Sequence, residues 1–183
     1  HWSPDSEFIA YYMFNESKVP EFSMDIFEEG LYPRQERFKY PKAGEKNSAV
    51  SINIFELNTN TNVIANVNKK TEHYFPRIKW TNKSGQLFVQ RLNRHQNHLE
   101  LLSVNPYNGD YNFVHEEKSK TYIDIHDNLV FYDDDSYFLW TSDQNGYNHI
   151  YLYKINGKKI RQITKGEWEV TSFYGYNQKT KTL

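Results

Sequence analysis

The stretch Ser136–Val170, SYFLWTSDQNGYNHIYLYKINGKKIRQITKGEWEV, constrains the fold most, because it reads as three short strands joined by two tight turns. Tyr137–Thr141 is an aromatic-rich strand, and Gln144-Asn145-Gly146 is a turn whose glycine supplies the positive φ of a primed hairpin. His149–Ile155 then alternates, with Ile150, Leu152 and Lys154 on one face and Tyr151, Tyr153 and Ile155 on the other. Asn156-Gly157 is a strong hairpin signal and leads into a third strand, Lys159–Thr164. Lys165-Gly166 turns the chain again, and Trp168–Tyr176 reads as the start of a further strand.

The pattern recurs upstream. An aromatic residue, a polar turn and an apolar strand appear at Trp2, at Trp80, at Phe131 and, more weakly, at Phe173. Once the irregular segment between Asn15 and Asn47 is set aside as an insertion, the spacing falls at roughly 40–50 residues per four-stranded unit, the period of a propeller blade. The predicted fold is therefore all-β, a partial β-propeller of three four-stranded antiparallel blades plus the start of a fourth, with an extended arm inserted in the first. Blade one covers about 1–68 with the arm at about 15–47, blade two about 74–117, blade three about 121–166, and the next blade starts within 167–183. Blade three is expected to open with a strand at Tyr122–Ile125, and no stretch of ten or more residues carries a helical period.

Composition supports β structure and excludes several function classes. Aromatics are 17% of residues, a bias toward pleated, half-buried surfaces. The 22 basic and 23 acidic residues form no like-charge block, which argues against a nucleic-acid partner or a basic membrane patch. Cysteine is absent, so neither disulfides nor thiolate metal sites hold the chain. No apolar run approaches the ~20 residues that span a bilayer. The opening His1-Trp2-Ser3-Pro4 is read as the edge of an excised piece of a longer protein.

The inventory for chemistry is thin. No G-x-S-x-G nucleophile elbow occurs. His95 and His98 stand three apart and read as a polar turn rather than a metal site. Asp133-Asp134-Asp135 occupies the same turn position as Asn82–Gly85, so a hairpin turn outweighs a calcium site. Glu28-Glu29 and Glu116-Glu117 are adjacent carboxylates that point to opposite faces of a strand and make no acid/base couple. Asn15-Glu16-Ser17 and Asn82-Lys83-Ser84 match a glycosylation sequon at the rate chance allows. Trp80, Trp140 and Trp168 are expected to pack between blades rather than to form a sugar platform. No catalytic, cofactor or metal residue is assigned.

Several strings carry a resemblance: HWSPDSEFIAYYMFNESKVPEF, RFKYPKAGEKN, QRLNRHQNHLELLSVNPYNG and SDQNGYNHIYLYKINGKKIRQITKGEWEV. Together they resemble the N-terminal β-propeller of the dipeptidyl peptidase IV family of serine peptidases, within the prolyl oligopeptidase group, and a cysteine-free chain looks more like bacterial members than animal ones. The resemblance implies a parent in which an eight-bladed propeller caps an α/β-hydrolase domain that releases N-terminal dipeptides with proline or alanine second. It implies that the amine-binding glutamate pair lies before Trp2 and the Ser-Asp-His triad beyond Leu183, so neither is in this chain. A pocket-lining arginine of animal members falls near Ile125–Asp127, where this sequence has His126 and Asp127 as a candidate pocket rim. The segment of about Glu21–Gly44 corresponds to an arm that reaches a second subunit, with Phe22, Phe27, Tyr32, Phe38 and Tyr40 as the candidate dimerisation residues.

The expected partners are the hydrolase domain of the same parent chain, a peptide substrate, and a second copy in a homodimer. No cofactor is implied, and the resemblance points to a periplasmic or cell-envelope parent. The alternatives are a stand-alone propeller module that binds sugar or peptide without a hydrolase and, more weakly, a metal-assisted glycosidase or nuclease.

Overall fold

The computed structural model describes residues 1–69, 72–83 and 85–183. The predicted Asn82–Gly85 turn and the sequon at Asn82 therefore include one residue, Ser84, that lies outside the described set. The described residues form fourteen strands and no helix. The chain divides into two compact units, His1–Tyr11 with Ile52–Leu183, and Tyr12–Ser51.

Strand β1 (Phe8–Asn15) is followed by β2 (Glu21–Ile26) and β3 (Arg34–Lys39), which pair only with each other, and then by β4 (Ala49–Glu56) and β5 (Thr61–Ile64). The first sheet has the order β1-β4-β5. A second sheet holds β6 (His73–Tyr74), β7 (Ile78–Trp80), β8 (Leu87–Asn93), β9 (His98–Val104) and β10 (Tyr111–Lys118), in the order β10-β9-β8-β6 with β7 also on β8. A third, β11 (Val130–Phe131), β12 (Tyr137–Ser142), β13 (His149–Lys154) and β14 (Lys159–Gln162), is a plain meander.

The sequence repeat reappears as a repeat of register. Trp2 bridges Ile9, Trp80 pairs Leu87 and Phe131 pairs Phe138, each aromatic meeting the residue seven positions on. The turn between these partners bends through a left-handed residue, Ser6 at φ 62° in the first copy and Asp135 at φ 56° in the third. The fourth copy does not repeat this. Trp168–Tyr176, expected as a strand, is irregular: no ladder partner for it lies among the described residues, and Val170 instead exchanges hydrogen bonds with Asn148 (N to O 2.8 Å, and from Nδ2 to the Val170 carbonyl 2.7 Å). Tyr122–Ile125 is also irregular, because Ile123 donates its amide to the Gln96 carbonyl of the β8–β9 turn at 2.7 Å.

Two Asn-Gly turns fix how the successive sheets meet. Gly157, at φ 87°, leads into β14, and a Cβ there would stand 1.6 Å from the Val114 carbonyl oxygen of β10. Gly109, at φ 77°, occupies the matching turn before β10, and a Cβ there would stand 2.4 Å from the Ile64 oxygen of β5. At each place the turn conformation and the close approach both need a residue without a side chain. A second tie joins the turns at the other end: Asp135 accepts the amides of Asn82 (2.9 Å) and Lys83 (2.8 Å), and Asn82 Nδ2 donates to the Tyr132 carbonyl at 2.8 Å.

Between the second and third sheets lies the main core, with Phe88, Leu99, Leu101 and Val114 facing Phe131, Phe138, Trp140, Tyr151 and Tyr153. The Phe138 and Tyr153 rings stack at 5.2 Å with 7° between planes, and Phe88 meets Phe131 edge-on at 4.9 Å. Burying each such side chain contributes about 1.5–3 kcal/mol. The alternation in β13 is as the sequence implies: Tyr151 and Tyr153 enter this core, while Ile150 and Leu152 join Leu139 in a cluster on the opposite face.

In the unit Tyr12–Ser51, β2 and β3 form an antiparallel hairpin in which Phe22 lies across from Phe38. Every residue of β3 is exposed.

Candidate functional site

A cleft of about 150 Å3 lies along β7 and β8, walled by Arg77, Ile78, Lys79, Phe88, Gln90, Asp127 and Leu129. Arg77 Nε donates to Asp127 Oδ1 at 2.5 Å, and Nη2 reaches Oδ2 at 3.4 Å, so a forked ion pair joins the residue before β7 to the segment before β11. That contact holds the Asp127 carboxyl below its ordinary range. Lys79 Nζ donates to the Leu129 carbonyl at 2.5 Å, and burial lowers its pKa against the opposing pull of Asp127. Gln90, 3% exposed, presents an Oε1 with no hydrogen-bond partner. The cleft thus sets cationic and amide groups around one carboxylate, beside the apolar side chains of Ile78, Phe88 and Leu129.

His126 and Asp127 do not share one environment. Asp127 lines the cleft, whereas His126 tilts over the Trp140 ring at 4.3 Å and accepts the Asn128 amide on Nδ1 at 3.2 Å. Burial pushes the His126 pKa down, so its neutral form is favoured there. Arg77 and Lys79 are functional candidates that sequence reasoning missed, because a pair separated by fifty residues leaves no local signal.

The aromatic residues of the other unit divide in two. Phe22, Phe38 and Tyr40 form a triad with ring centroids 5.8–6.1 Å apart, and Lys42 Nζ lies 5.3 Å over the Phe22 ring. Phe27 and Tyr32, in the loop joining β2 to β3, are 80% and 87% exposed. Charged pairs flank them, Arg34 with Glu28 at 3.2 Å and Lys39 with Glu21 at 3.2 Å.

The remaining polar motifs resolve into structure. Asp135 caps the Asn82 and Lys83 amides, and Asp134 accepts the Ser136 amide and hydroxyl, which is the hairpin-turn reading of that acidic run. His95 lies in the β8–β9 turn and His98 pairs with Glu116 at 2.8 Å. Glu116 and Glu117 do point apart: Glu116 meets His98 and Lys118 in solvent, while Glu117 is turned inward to the Trp140 indole. No group of three metal-ligating side chains of the His, Cys, Asp or Glu type gathers among the described residues.

The T-K-G-E-W-E-V string is a clamp on a buried histidine. His149, 2% exposed, contacts Thr164 Oγ1 through Nδ1 and the Gly166 carbonyl through Nε2, both at 3.1 Å. Trp168 meets its ring edge-on at 5.2 Å. Trp80 and Trp140 pack between sheets as expected, but Trp168 does not: it is 51% exposed and folds back over Gly166, where only a residue without Cβ leaves room for the indole.

A model of the family described as "Dipeptidyl peptidase IV (DPP IV) N-terminal region" matches residues 1–183. "Probable dipeptidyl peptidase 4" of Emericella nidulans is 30% identical over 202 residues, covering 100% of this chain and 26% of that protein. "Inactive dipeptidyl peptidase 10" of Rattus norvegicus is also 30% identical, over 100% of this chain and 24% of its own length. Among solved structures, dipeptidyl peptidase 4 of Porphyromonas gingivalis superposes with a TM-score of 0.88 at 36% identity, covering 97% of this chain and 25% of that one. The chain spans about a quarter of the length of these proteins.

Proposed function

Because this chain belongs to the dipeptidyl peptidase IV N-terminal region family, we propose that it is the non-catalytic propeller portion of a serine exopeptidase releasing N-terminal Xaa-Pro or Xaa-Ala dipeptides. The observation that carries this reading is the family match across residues 1–183, supported by the whole-chain likeness to a bacterial dipeptidyl peptidase 4. The three main sheets are read as three blades, with the segment after Lys165 leading into the next. The nucleophile and the amine-binding carboxylates belong to other parts of the parent.

In that parent the propeller restricts access to the reacting centre, and the Arg77–Asp127 pair with Lys79 and Gln90 forms a polar rim against which the peptide rests. Arg77 then stands in for the arginine that this sequence lacks at Ile125–Asp127, delivered from the position just before β7 and oriented by Asp127. The hairpin β2–β3, with Phe22, Phe38 and Tyr40 on one face and Phe27 and Tyr32 at its tip, makes the contact with a second copy.

One 30% identical relative is named inactive, so this segment accompanies proteins named both as peptidases and as inactive. The test is cleavage of Gly-Pro and Ala-Pro chromogenic amides by the full protein and by this chain alone. Turnover by the full protein with none above a buffer blank for the chain is the expected result. A chain that cleaves, or a full protein that does not, contradicts the reading.

A further inference from the structure

We propose that the contact between β10 and the β12–β13 pair is an acid-sensitive joint latched by the Glu117 carboxylate. Glu117 stands on the outer strand of one sheet and accepts the Trp140 indole N–H of the next at 2.8 Å. Trp140 is 1% exposed and fully within the core that these two sheets share. The latch is therefore a charge-assisted hydrogen bond across a sheet-to-sheet boundary, strong while the acceptor is ionised.

The surroundings let protons reach it. A cleft of about 130 Å3, lined by His115, Glu117, Ser142, Asp143 and Gln144, opens beside the carboxylate. Three buried polar atoms at this boundary have no hydrogen-bond partner: His115 Nε2 and the hydroxyls of Tyr151 and Tyr153. His115 Nε2 lies 3.8 Å from Glu117 Oε1, too far for a direct bond and suited to a bridging water. The cleft is polar and wide enough for water, the carrier that would bring the proton inward.

The titratable groups around the latch come from every neighbouring element. His115, Glu116 and Lys118 share its strand and line the cleft, and Asp143 follows β12. Tyr151 and Tyr153 stand on β13, with Lys159 of β14 over the Tyr151 ring at 4.5 Å. His126 tilts over the Trp140 ring, and the next residue, Asp127, pairs with Arg77. Burial pushes the Glu117 carboxyl up, but the polar contacts of His115, Ser142 and Trp140 outweigh it and hold its pKa below the ordinary 4.5. His126 is also held below its ordinary 6.5, by burial. Both groups contribute stability above their ordinary values that is lost as pH falls through the lowered ones, so acid loosens the joint in two steps of the same sign.

The protein labelled with 5-fluorotryptophan tests this, the Trp140 resonance being assigned with Trp140→Phe. As pH falls from 7 to 3, the Trp140 fluorine resonance is expected to shift in two steps, one for Glu117 and one for His126, while far-UV circular dichroism stays at its neutral-pH value. Glu117→Gln, whose amide oxygen still accepts from the indole, loses the Glu117 step. Glu116→Gln, one residue away on the opposite face, keeps it. Ser142→Ala raises the midpoint of the Glu117 step toward the ordinary glutamate value, and this variant decides the matter if Glu117→Gln does not fold. A resonance flat across the range, a full set of steps that survives Glu117→Gln, a step that vanishes in Glu116→Gln, or midpoints unmoved by Ser142→Ala overturn the proposal.

Discussion

The packed boundary between the second and third sheets and the β2–β3 hairpin use the same residue types to opposite ends. At the boundary Trp140, Tyr151 and Tyr153 are at most 1% exposed, whereas in the hairpin unit Phe38 is 37% exposed and Phe27 80%. Each sheet at the boundary is half of a core, and its aromatic face finds the other half in the next sheet. A two-stranded hairpin has no such layer, and in isolation it is marginal in water. Its aromatic content therefore does little for the stability of this chain, and the exposed tip of Phe27, Leu31 and Tyr32 is the surface that the proposed contact with a second copy would cover.

That contrast breaks most readily at the core. Trp140→Ala removes a fully buried indole and strands the Glu117 carboxylate, so a loss of about 4–5 kcal/mol is expected in chemical denaturation. A loss under about 2 kcal/mol would mean the boundary is not the main core. Gly157→Ala comes next, at about 3 kcal/mol, since the added Cβ meets the Val114 carbonyl and the turn is left-handed. Gly44→Ala in the hairpin unit shares the left-handed φ, 85°, but meets nothing within 4 Å, and about 1 kcal/mol is expected there. Similar values for the two glycines would show that close approach is not what fixes the sheets.

A smaller effect concerns charge. Glu100 is held at a pKa of about 2: burial pushes it up, and hydrogen bonds and charge from Arg91 and Lys69 more than reverse this. Arg91 is 3% exposed at its side chain and Glu100 13%, which makes this pair the buried counterpart of the exposed Arg34–Glu28 pair of the hairpin unit. The lowered pKa gives stability that is complete above 4.5 and lost as pH falls through about 2. With solvent screening included, Glu100→Gln is expected to cost about 1–2 kcal/mol at neutral pH and to flatten the acid limb of the stability profile. Glu28→Gln is expected to cost less than about 0.5 kcal/mol. The smallest change in stability, within about 0.5 kcal/mol, is expected for Phe27→Ser with Tyr32→Ser, whose effect should appear as weaker self-association in light scattering.

The repeat was legible because each copy spells its own hairpin. The aromatic residues at 2, 80 and 131 and the Asn-Gly turn at 157 are local signals, and the register follows from them. The strands expected at Tyr122–Ile125 and Trp168–Tyr176 were apolar enough to be strands, but a strand also needs a ladder partner, which no local pattern reports. The hairpin β2–β3 was hidden by the reverse problem: charged and polar residues surround Phe22 and Phe38 on strands that have no fully buried residue, so no buried face marks the period. At the cleft, Asp127 was found only through a resemblance, and Arg77 not at all. A forked ion pair joining two sheets depends on the stacking of those sheets, which the sequence expresses only through glycines that leave room for it.

The two units are proposed to divide the work, the stacked sheets carrying stability and the hairpin carrying association. Replacing Glu21–Gly44 with a short Gly-Ser linker, which joins neighbouring strands β1 and β4 of the first sheet, separates the two roles in one sample. Melting temperature and molar mass by light scattering are then measured side by side with the intact protein. Expected are a dimeric mass for the intact protein, a monomeric mass for the variant and a melting temperature within a few degrees of the original. A melting temperature lower by more than about 10 °C, or an unchanged dimer, would contradict this division of work.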